Sequence, residues 1–414
     1  MKSSLINMQS YAGRLLRFCA VGVIIISAFV LLCMWYVCSN QSCSFNKFLI
    51  SGRNDTRWRR LTANRLILSN WTTDKKYASE SNKLDSVKVD FNIKGSDVIV
   101  FLHIQNTGGS VFARHMVEDL ELERPCRCKK NRRICRCYRP GNYGSTWFFS
   151  RYTTGWKCGV HPDWSELSTC VDRIMDEDEG KPVKRRYFFI SVLRDPVKRF
   201  LSEFWHVRQG QSWSSLRHWC GGIEVSENEL PACFDRDDLS DLTLEEFMAC
   251  KHNLAINRQA RMLADLALVG CYNNSSSLSK EDRDLIVLTS AKSNLHKMAF
   301  FGLSEFPKVS QYMFEATFGM NFKAKNSLSH DSLNRSARKE LFKEISAKDI
   351  ENIKRINYLD TELYYYAKEL LFLRFEKLKK MDPLFENNFE VFDKNDLSSE
   401  NWAEKEDFID NLLD

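Results

Sequence analysis

The sequence predicts an α/β fold with a central parallel sheet flanked by helices, and two observations carry that prediction. The segments DVIVFLHI (Asp97–Ile104) and YFFISVLR (Tyr187–Arg194) are continuously apolar rather than alternating, as strands covered on both faces are. Each runs into a helical pattern, SVFARHMVEDLEL from Ser110 to Leu122 and DPVKRFLSEFWHV from Asp195, where Pro196 suits a first helical turn. Strand, turn and helix twice over imply parallel strands with ligands at their C-terminal ends. The chain has 414 residues and 43% hydrophobic content, ample for a sizeable core.

Phe18 to Cys38 form an uncharged apolar run of 21 residues, long enough to cross a bilayer as a helix. A cleaved signal peptide would carry a shorter apolar region, roughly 7–15 residues, and no small-residue cleavage site follows Cys38. An uncleaved anchor is therefore the favoured reading. Lys2, Arg14 and Arg17 precede the run and no acid does, so residues 1–17 are expected in the cytosol and everything after Cys38 on the lumenal or extracellular side.

Two features agree with that side. N-x-S/T sequons occur at Asn40, Asn54, Asn70, Asn273, Asn274 and Asn334. Ten of the 14 cysteines lie between Cys126 and Cys271, an even number that reads as about five disulfides in an oxidising compartment. The cluster Cys126, Cys128, Cys135 and Cys137 also resembles a zinc site, but its single-residue gaps fit poorly with the usual two to four. Disulfides are favoured, with the pairing left open.

Residues 39–92 are polar and read as a stem, with a possible helix from Trp58 to Leu68. The main domain is expected over 93–380. Its later segments read as helix: Leu244–Ala249, Asn257–Leu268, Lys280–Leu295 and one long helix from Asp349 to Lys380. Tyr358, Tyr364, Tyr365 and Phe372 read as core aromatics of that last helix. Residues 381–414 hold eleven acids and two bases, and are expected to be a solvated, largely disordered acidic tail. The net charge of +6 therefore masks a basic domain. No internal repeat is found.

The loop FLHIQNTGGS, Phe101 to Ser110, has the layout that grips phosphate: a strand, two glycines that let backbone amides approach an anion, and a helix N-terminus. It matches neither G-x-x-x-x-G-K-[ST] nor G-x-G-x-x-G. A plain tight turn remains an equal reading of TGGS alone. Arg194 at the exit of the second strand and Ser202 in the following helix would frame a second phosphate; a structural Arg194–Asp195 ion pair is the bland alternative. Between Arg127 and Arg139 stand seven bases, Arg127, Lys129, Lys130, Arg132, Arg133, Arg136 and Arg139, a pattern suited to sulfates and carboxylates or simply to a solvated loop. Nucleic acid is a poor partner for a domain facing the lumen.

FLHIQ-TGGS, CRC…CRCYRP, TGWKCGVHPDW, LRDPVKRFLSE and NRQARMLADLALVGCYN, in that order, resemble the heparan sulfate 6-O-sulfotransferase family. The resemblance spans about Val98 to Phe322. It implies a P-loop-like sulfotransferase fold in a Golgi enzyme with a single type II membrane span. The implied donor is 3′-phosphoadenosine 5′-phosphosulfate, whose sulfonate moves to the 6-hydroxyl of glucosamine units in heparan sulfate. By position it implies donor contacts from His103, Ile104, Gln105, Asn106, Thr107, Gly108, Gly109, Ser110 and Val111, with Arg194 and Ser202 on the 3′-phosphate. His161 is implied as catalytic base, which suits a side chain titrating near working pH. Acceptor contacts are implied for Arg133, Ile134, Arg151, Trp156, His161, His206 and Trp213. No metal is expected.

The sequence departs from the family where Asn106 stands in place of a lysine that contacts the 5′-phosphate. Losing one such preorganised donor typically costs about 10²–10³ in rate. Lys198, Arg199 or a base from the basic loop are candidate substitutes. The alternatives are a catalytically impaired, membrane-anchored heparan-sulfate-binding protein, or a sulfotransferase for another glycosaminoglycan such as chondroitin. A second departure lies past Phe322, where Lys323 and Asn326 are weak candidates for donor or acceptor contacts.

Overall fold

A computed structural model describes residues 88–129, 134–210, 218–234, 236, 238–273, 278–323, 345–385 and 389. The predicted anchor at 18–38 and the stem as far as residue 87, with its helix, lie outside the described residues. So do Arg133, Trp213, Asn326 and most of the acidic tail. Among the described residues no helix is long and apolar enough to cross a membrane.

Four parallel strands form the central sheet: β1 (Val98–Leu102), β4 (Phe148–Phe149), β5 (Tyr187–Leu193) and β8 (Phe300–Leu303), in the order β4-β1-β5-β8, while β6 (Trp219–Cys220) and β7 (Ile223–Glu224) pair separately. The two predicted strands are central neighbours, with Val98 opposite Tyr187 and Leu102 opposite Ser191. Every residue of β1 is buried, which is why its sequence does not alternate. Adjacent residues of β5 point to opposite faces: the Phe188 ring meets Phe91 and Phe318, while Phe189 meets Trp164, 4.6 Å between centroids.

The helices follow that alternation. Helix α1 (Gly109–Glu118) and helix α7 (Pro307–Phe318) cover one face, joined through Phe112 stacked on Phe300 and edge-on to Phe314. Helix α2 (Trp164–Glu179) covers the other face with helix α9 (Tyr358–Met381), whose Arg374 lies over the Phe301 ring. Helix α3 (Pro196–Arg208) begins with Pro196, as predicted, and buries Phe200 and Phe204 against Phe247 of helix α4 (Leu244–Ala249). Helix α6 (Lys280–Lys297) completes the predicted Lys280 segment.

Two predicted helices are broken. The segment Asn257–Leu268 is helix α5 (Arg258–Leu263), an extended Ala264, and a short 3-10 turn, Leu266–Val269. Asp265 accepts from the amide of Ala267 and starts a new cap there. The long helix divides at Asn357 into helix α8 (Ala347–Ile356) and α9. Asn257 and Asn357 cause the break: Asn357 Oδ1 accepts from the Asn257 amide, while Asn257 Oδ1 accepts from the amides of Leu359 and Asp360. Of the four aromatics assigned to the core, Tyr364 is buried, Tyr358 and Phe372 pack partly, and Tyr365 is 62% exposed because it projects from the outer face of α9.

The packed body is larger than 93–380. The Val89 amide donates to Thr317 O, and Phe385 and Phe389 close on Tyr312 and Phe375. All ten predicted cysteines form disulfides, 126–137, 128–135, 158–170, 220–271 and 233–250. The C-x-C…C-x-C spacing is the two-residue period of a hairpin, β2 (Arg127–Cys128) with β3 (Cys135–Arg136), in which Cys128 faces Cys135. The zinc reading is thereby excluded for these four thiols. Among the described residues no other group of His, Cys, Asp and Glu converges as a metal site.

Candidate active site

Chain direction locates the site. From β1 the chain crosses to β4 on one side, and from β5 it crosses to β8 on the other. The crevice between the C-terminal ends of β1 and β5 is thus the topological switch point where such sheets bind ligands. Both phosphate candidates, the loop after β1 and Arg194 after β5, open into it.

The loop is a built structure and not a plain turn. His103, Ile104, Gln105, Asn106, Thr107, Gly108, Gly109, Ser110 and Val111 are all buried. Thr107 Oγ1 donates to Ile104 O at 2.9 Å. Asn106 (φ 63°) and Gly108 (φ 82°) both take left-handed backbone, which Asn and Gly tolerate best. At Gly109 a Cβ would stand 2.4 Å from His103 Cδ2, so only glycine lets the His103 ring lie over the first turn of α1. The Gln105 side-chain oxygen is buried without a protein partner among the described residues.

Arg194 and Ser202 join this loop through Asn106. Arg194 Nη1 donates to Asn106 O at 3.1 Å. Asn106 Nδ2 lies 3.2 Å from Ser202 Oγ and 3.0 Å from His206 Nδ1. Ser202 and His206 are four apart on α3 and share a face. The Asp195 carboxylate caps α3 by accepting from the amides of Val197 and Lys198, which answers the suggestion that it serves as a counter-ion to Arg194. Gln259 clasps Arg194 from both sides, Oε1 accepting from its amide and Nε2 donating to its carbonyl, each at 2.9 Å.

Arg199 is not a substitute base for the loop. It is fully buried and ion-paired with Glu203, which also holds Arg258. Burial alone would raise the Glu203 carboxyl, but the charges of Arg258 and then Arg199 outweigh it and hold the group down at about 2. Asp360 closes this network by accepting from the amides of Gln259 and Ala260. The roles of Gln259, Arg258 and Glu203 were not read from the sequence. The run NRQARMLAD signals them only by placing charges in a segment that must also be helical.

His161 arrives from a loop without regular structure. Disulfide 158–170 ties the loop to α2, and a capping box at Asp163 and Glu166 fixes the start of that helix. The second Glu166 oxygen accepts from the Trp219 amide at 2.6 Å. Burial raises both carboxyls of this pair, and repulsion from Asp163 adds to the rise at Glu166. His161 itself is buried with φ 52°, an uncommon backbone for a non-glycine residue. Its Nδ1 lies 3.4 Å from His103 O, and its ring is 4.7 Å from the His103 ring and 5.3 Å from that of Trp156. Burial first, then the nearby His103, Arg151 and Arg258, push the His161 pKa well below 6.5. A carbonyl can only accept, so Nδ1 carries the proton and Nε2 carries the lone pair. The side chain is a neutral base.

Next to His161 lies a partly exposed face. Trp156 is 42% exposed, and the Arg151 guanidinium stands 5.6 Å from its ring centroid. Ile134, 49% exposed, reaches the backbone at Gly155. The basic hairpin docks here through Cys135 N donating to Tyr152 O. Arg139 does not belong to the basic face: it is buried, donating to Ser145 Oγ and Ile93 O. The structure thus brings together Ile134, Arg151, Trp156, His161 and His206 with the whole loop, Arg194 and Ser202. The Lys323 amide pairs with Asp119 O at the far end of α1.

Residues 89–367 match the family model described as the Sulfotransferase family. The chain is 48% identical over 294 residues to heparan-sulfate 6-O-sulfotransferase 3-B of Danio rerio, covering 71% of this chain and 68% of that protein. It is 47% identical over 297 residues to heparan-sulfate 6-O-sulfotransferase 2 of Gallus gallus, covering 71% and 72%. Against heparan-sulfate 6-O-sulfotransferase 1-B of Danio rerio the identity is 47% over 296 residues, covering 71% of each.

Proposed function

The chain belongs to the heparan-sulfate 6-O-sulfotransferases of the sulfotransferase family, and from that premise we propose how its residues transfer a sulfonate to heparan sulfate. The donor, 3′-phosphoadenosine 5′-phosphosulfate, supplies an activated sulfonate on a phosphate leaving group. The residues present fit a ligand with two anionic groups. The loop 103–111 offers backbone amides at the start of α1, where the helix dipole favours negative charge. Arg194 and Ser202 would hold the 3′-phosphate, with Arg194 fixed by Gln259 and by Asn106 O.

His161 is the observation that carries the mechanism. Its Nε2 lone pair takes the proton from the glucosamine 6-hydroxyl as that oxygen attacks sulfur. His103 O holds the tautomer and the orientation. The low pKa keeps the base neutral and ready, although it weakens the proton affinity. Arg151, Ile134, Trp156 and His206 line the approach of the polyanionic chain; Arg133 and Trp213, implied as further contacts by the family resemblance, lie outside the described residues. Arginine suits its sulfates and carboxylates, and the Trp156 ring suits a sugar face. The catalytic domain is lumenal in the Golgi, behind the anchor at 18–38. The anchor sequence, the sequons and five disulfides support that placement.

The test is transfer by the full chain in detergent, using the phosphosulfate donor and 6-O-desulfated heparan sulfate, with disaccharide analysis of the product. New 6-O-sulfated glucosamine that is absent with His161→Ala is the expected result. Product on the galactosamine of chondroitin alone would reassign the acceptor. A specific observation favours one competing reading: the Asn106 amide is engaged with Ser202 and His206, and Arg199 is buried. Transfer absent from the native chain but present in Asn106→Lys would make the protein a glycan binder.

A further inference from the structure

One side chain touches both halves of the site. The Asn106 carboxamide lies between Ser202, assigned above to the donor, and His206, assigned above to the glycan. An amide nitrogen carries two hydrogens and accepts none, so both neighbours must accept from it. Ser202 Oγ, accepting at 3.2 Å, turns its own hydroxyl proton elsewhere. His206 Nδ1, accepting at 3.0 Å, places the ring proton on Nε2. The amide therefore sets both groups as donors, the polarity two anionic ligands require. Arg194 secures the same residue through its carbonyl, and the left-handed backbone at φ 63° aims the side chain toward α3.

We propose that Asn106 is a positioning residue that couples donor binding to glycan binding, so that each ligand raises the affinity for the other. The proposal rests on the functional reading above. When the Ser202 hydroxyl donates to a phosphate oxygen, Oγ becomes a stronger acceptor for the Asn106 N–H, because linked hydrogen bonds polarise one another. The carboxamide is then held more firmly, and with it the His206 ring. The ordering that the glycan must impose on His206 has already been done. The relation runs equally in the other direction, since coupling between two binding sites is reciprocal.

The experiment measures two dissociation constants, each with and without the other ligand. The probes are 3′-phosphoadenosine 5′-phosphate, which cannot transfer, and a 6-O-desulfated heparan sulfate oligosaccharide, bound to the full chain in detergent. In the native chain each ligand is expected to tighten the other by the same factor, about fivefold or more. In Asn106→Gly, which keeps the left-handed backbone without strain and deletes only the carboxamide, the factor is expected to fall to about one. Asn106→Asp keeps the shape but offers no hydrogens, and is expected to lose the coupling as well. This second variant decides the matter if the glycine protein does not fold. A factor of one in the native chain, with both ligands binding, overturns the coupling alone. A factor that persists unchanged in both variants also overturns it. Failure of the native chain to bind the nucleotide overturns the functional reading and the coupling with it.

Discussion

The proposed donor half of the site and the proposed acceptor half are held by different means. The donor half hangs from β1 and β5, whose strands hydrogen-bond along their full length in the middle of the sheet. Its loop needs only a glycine at a close approach, two left-handed residues and one arginine clasped by Gln259. The acceptor half has almost no regular structure among the described residues between Pro125 and Pro162 beyond three two-residue strands. It is held by three disulfides, a capping box and side chains bonded to backbone. The difference shows that a sheet supplies position through its backbone, and that a surface lacking a sheet must obtain it from covalent and polar cross-links. His161 belongs to the second half by chain and to the first by contact, through His103.

The largest expected effect breaks the donor half from behind. Glu203→Ala leaves Arg199 and Arg258 buried without their carboxylate, and should cost about 3–5 kcal/mol of stability. Glu203→Gln, which keeps an acceptor, should lose less; urea unfolding compares them, and equal small losses for both would refute the network's role. Next, Gly109→Ala forces the His103 ring from its place. It should weaken nucleotide binding and, because His103 O orients His161, lower transfer by about 10². Steady-state kinetics with nucleotide titration reads both, and a loss in binding alone would show that His161 does not depend on His103.

Opening the acceptor half should act locally. Replacing Cys158 and Cys170 by serine releases a closure spanning 12 residues, worth about 2–3 kcal/mol. Transfer should fall more than nucleotide affinity. Loss of nucleotide binding in equal measure would mean the two halves are not separately held.

The smallest effect is in pH. His161 sits well below its ordinary 6.5, so the acid limb of kcat/KM should lie below pH 6.5, and transfer should not change between pH 6.5 and 7.5. In the folded protein this histidine binds fewer protons than when unfolded, so its contribution lowers stability as pH falls below 6.5. A rate that halves at pH 6.5 would mean that His161 is solvated in the working enzyme.

Much of the donor half was legible because its signals are local. A continuous apolar run, a glycine pair and Pro196 after an exit arginine each report a backbone requirement within a few residues. Arg194 and Ser202 were singled out because strand ends gather ligands, and both meet Asn106 in the fold. Gln259 and Glu203 were not, since clasping a backbone or neutralising buried arginines leaves no periodic mark. Arg139 was misjudged for a related reason: composition reports charge, but only packing shows which charge faces inward. The helix breaks at Ala264 and Asn357 were hidden because residues 100 apart in sequence, Asn257 and Asn357, exchange hydrogen bonds.

From the sequence alone came the parallel sheet, the number of disulfides and the strand, turn and helix that form the loop after β1. All follow from residue order, since strand burial, cysteine parity and turn chemistry act over short spans. The tertiary structure alone decided which cysteines pair, which arginines are structural and what the side chain of Asn106 touches. Its amide meets Ser202 and His206 across 96 and 100 residues of chain. A side chain's partner over such a distance is set by how strands and helices stack, because hydrogen bonds act over a few ångströms and sequence separation carries no record of that proximity.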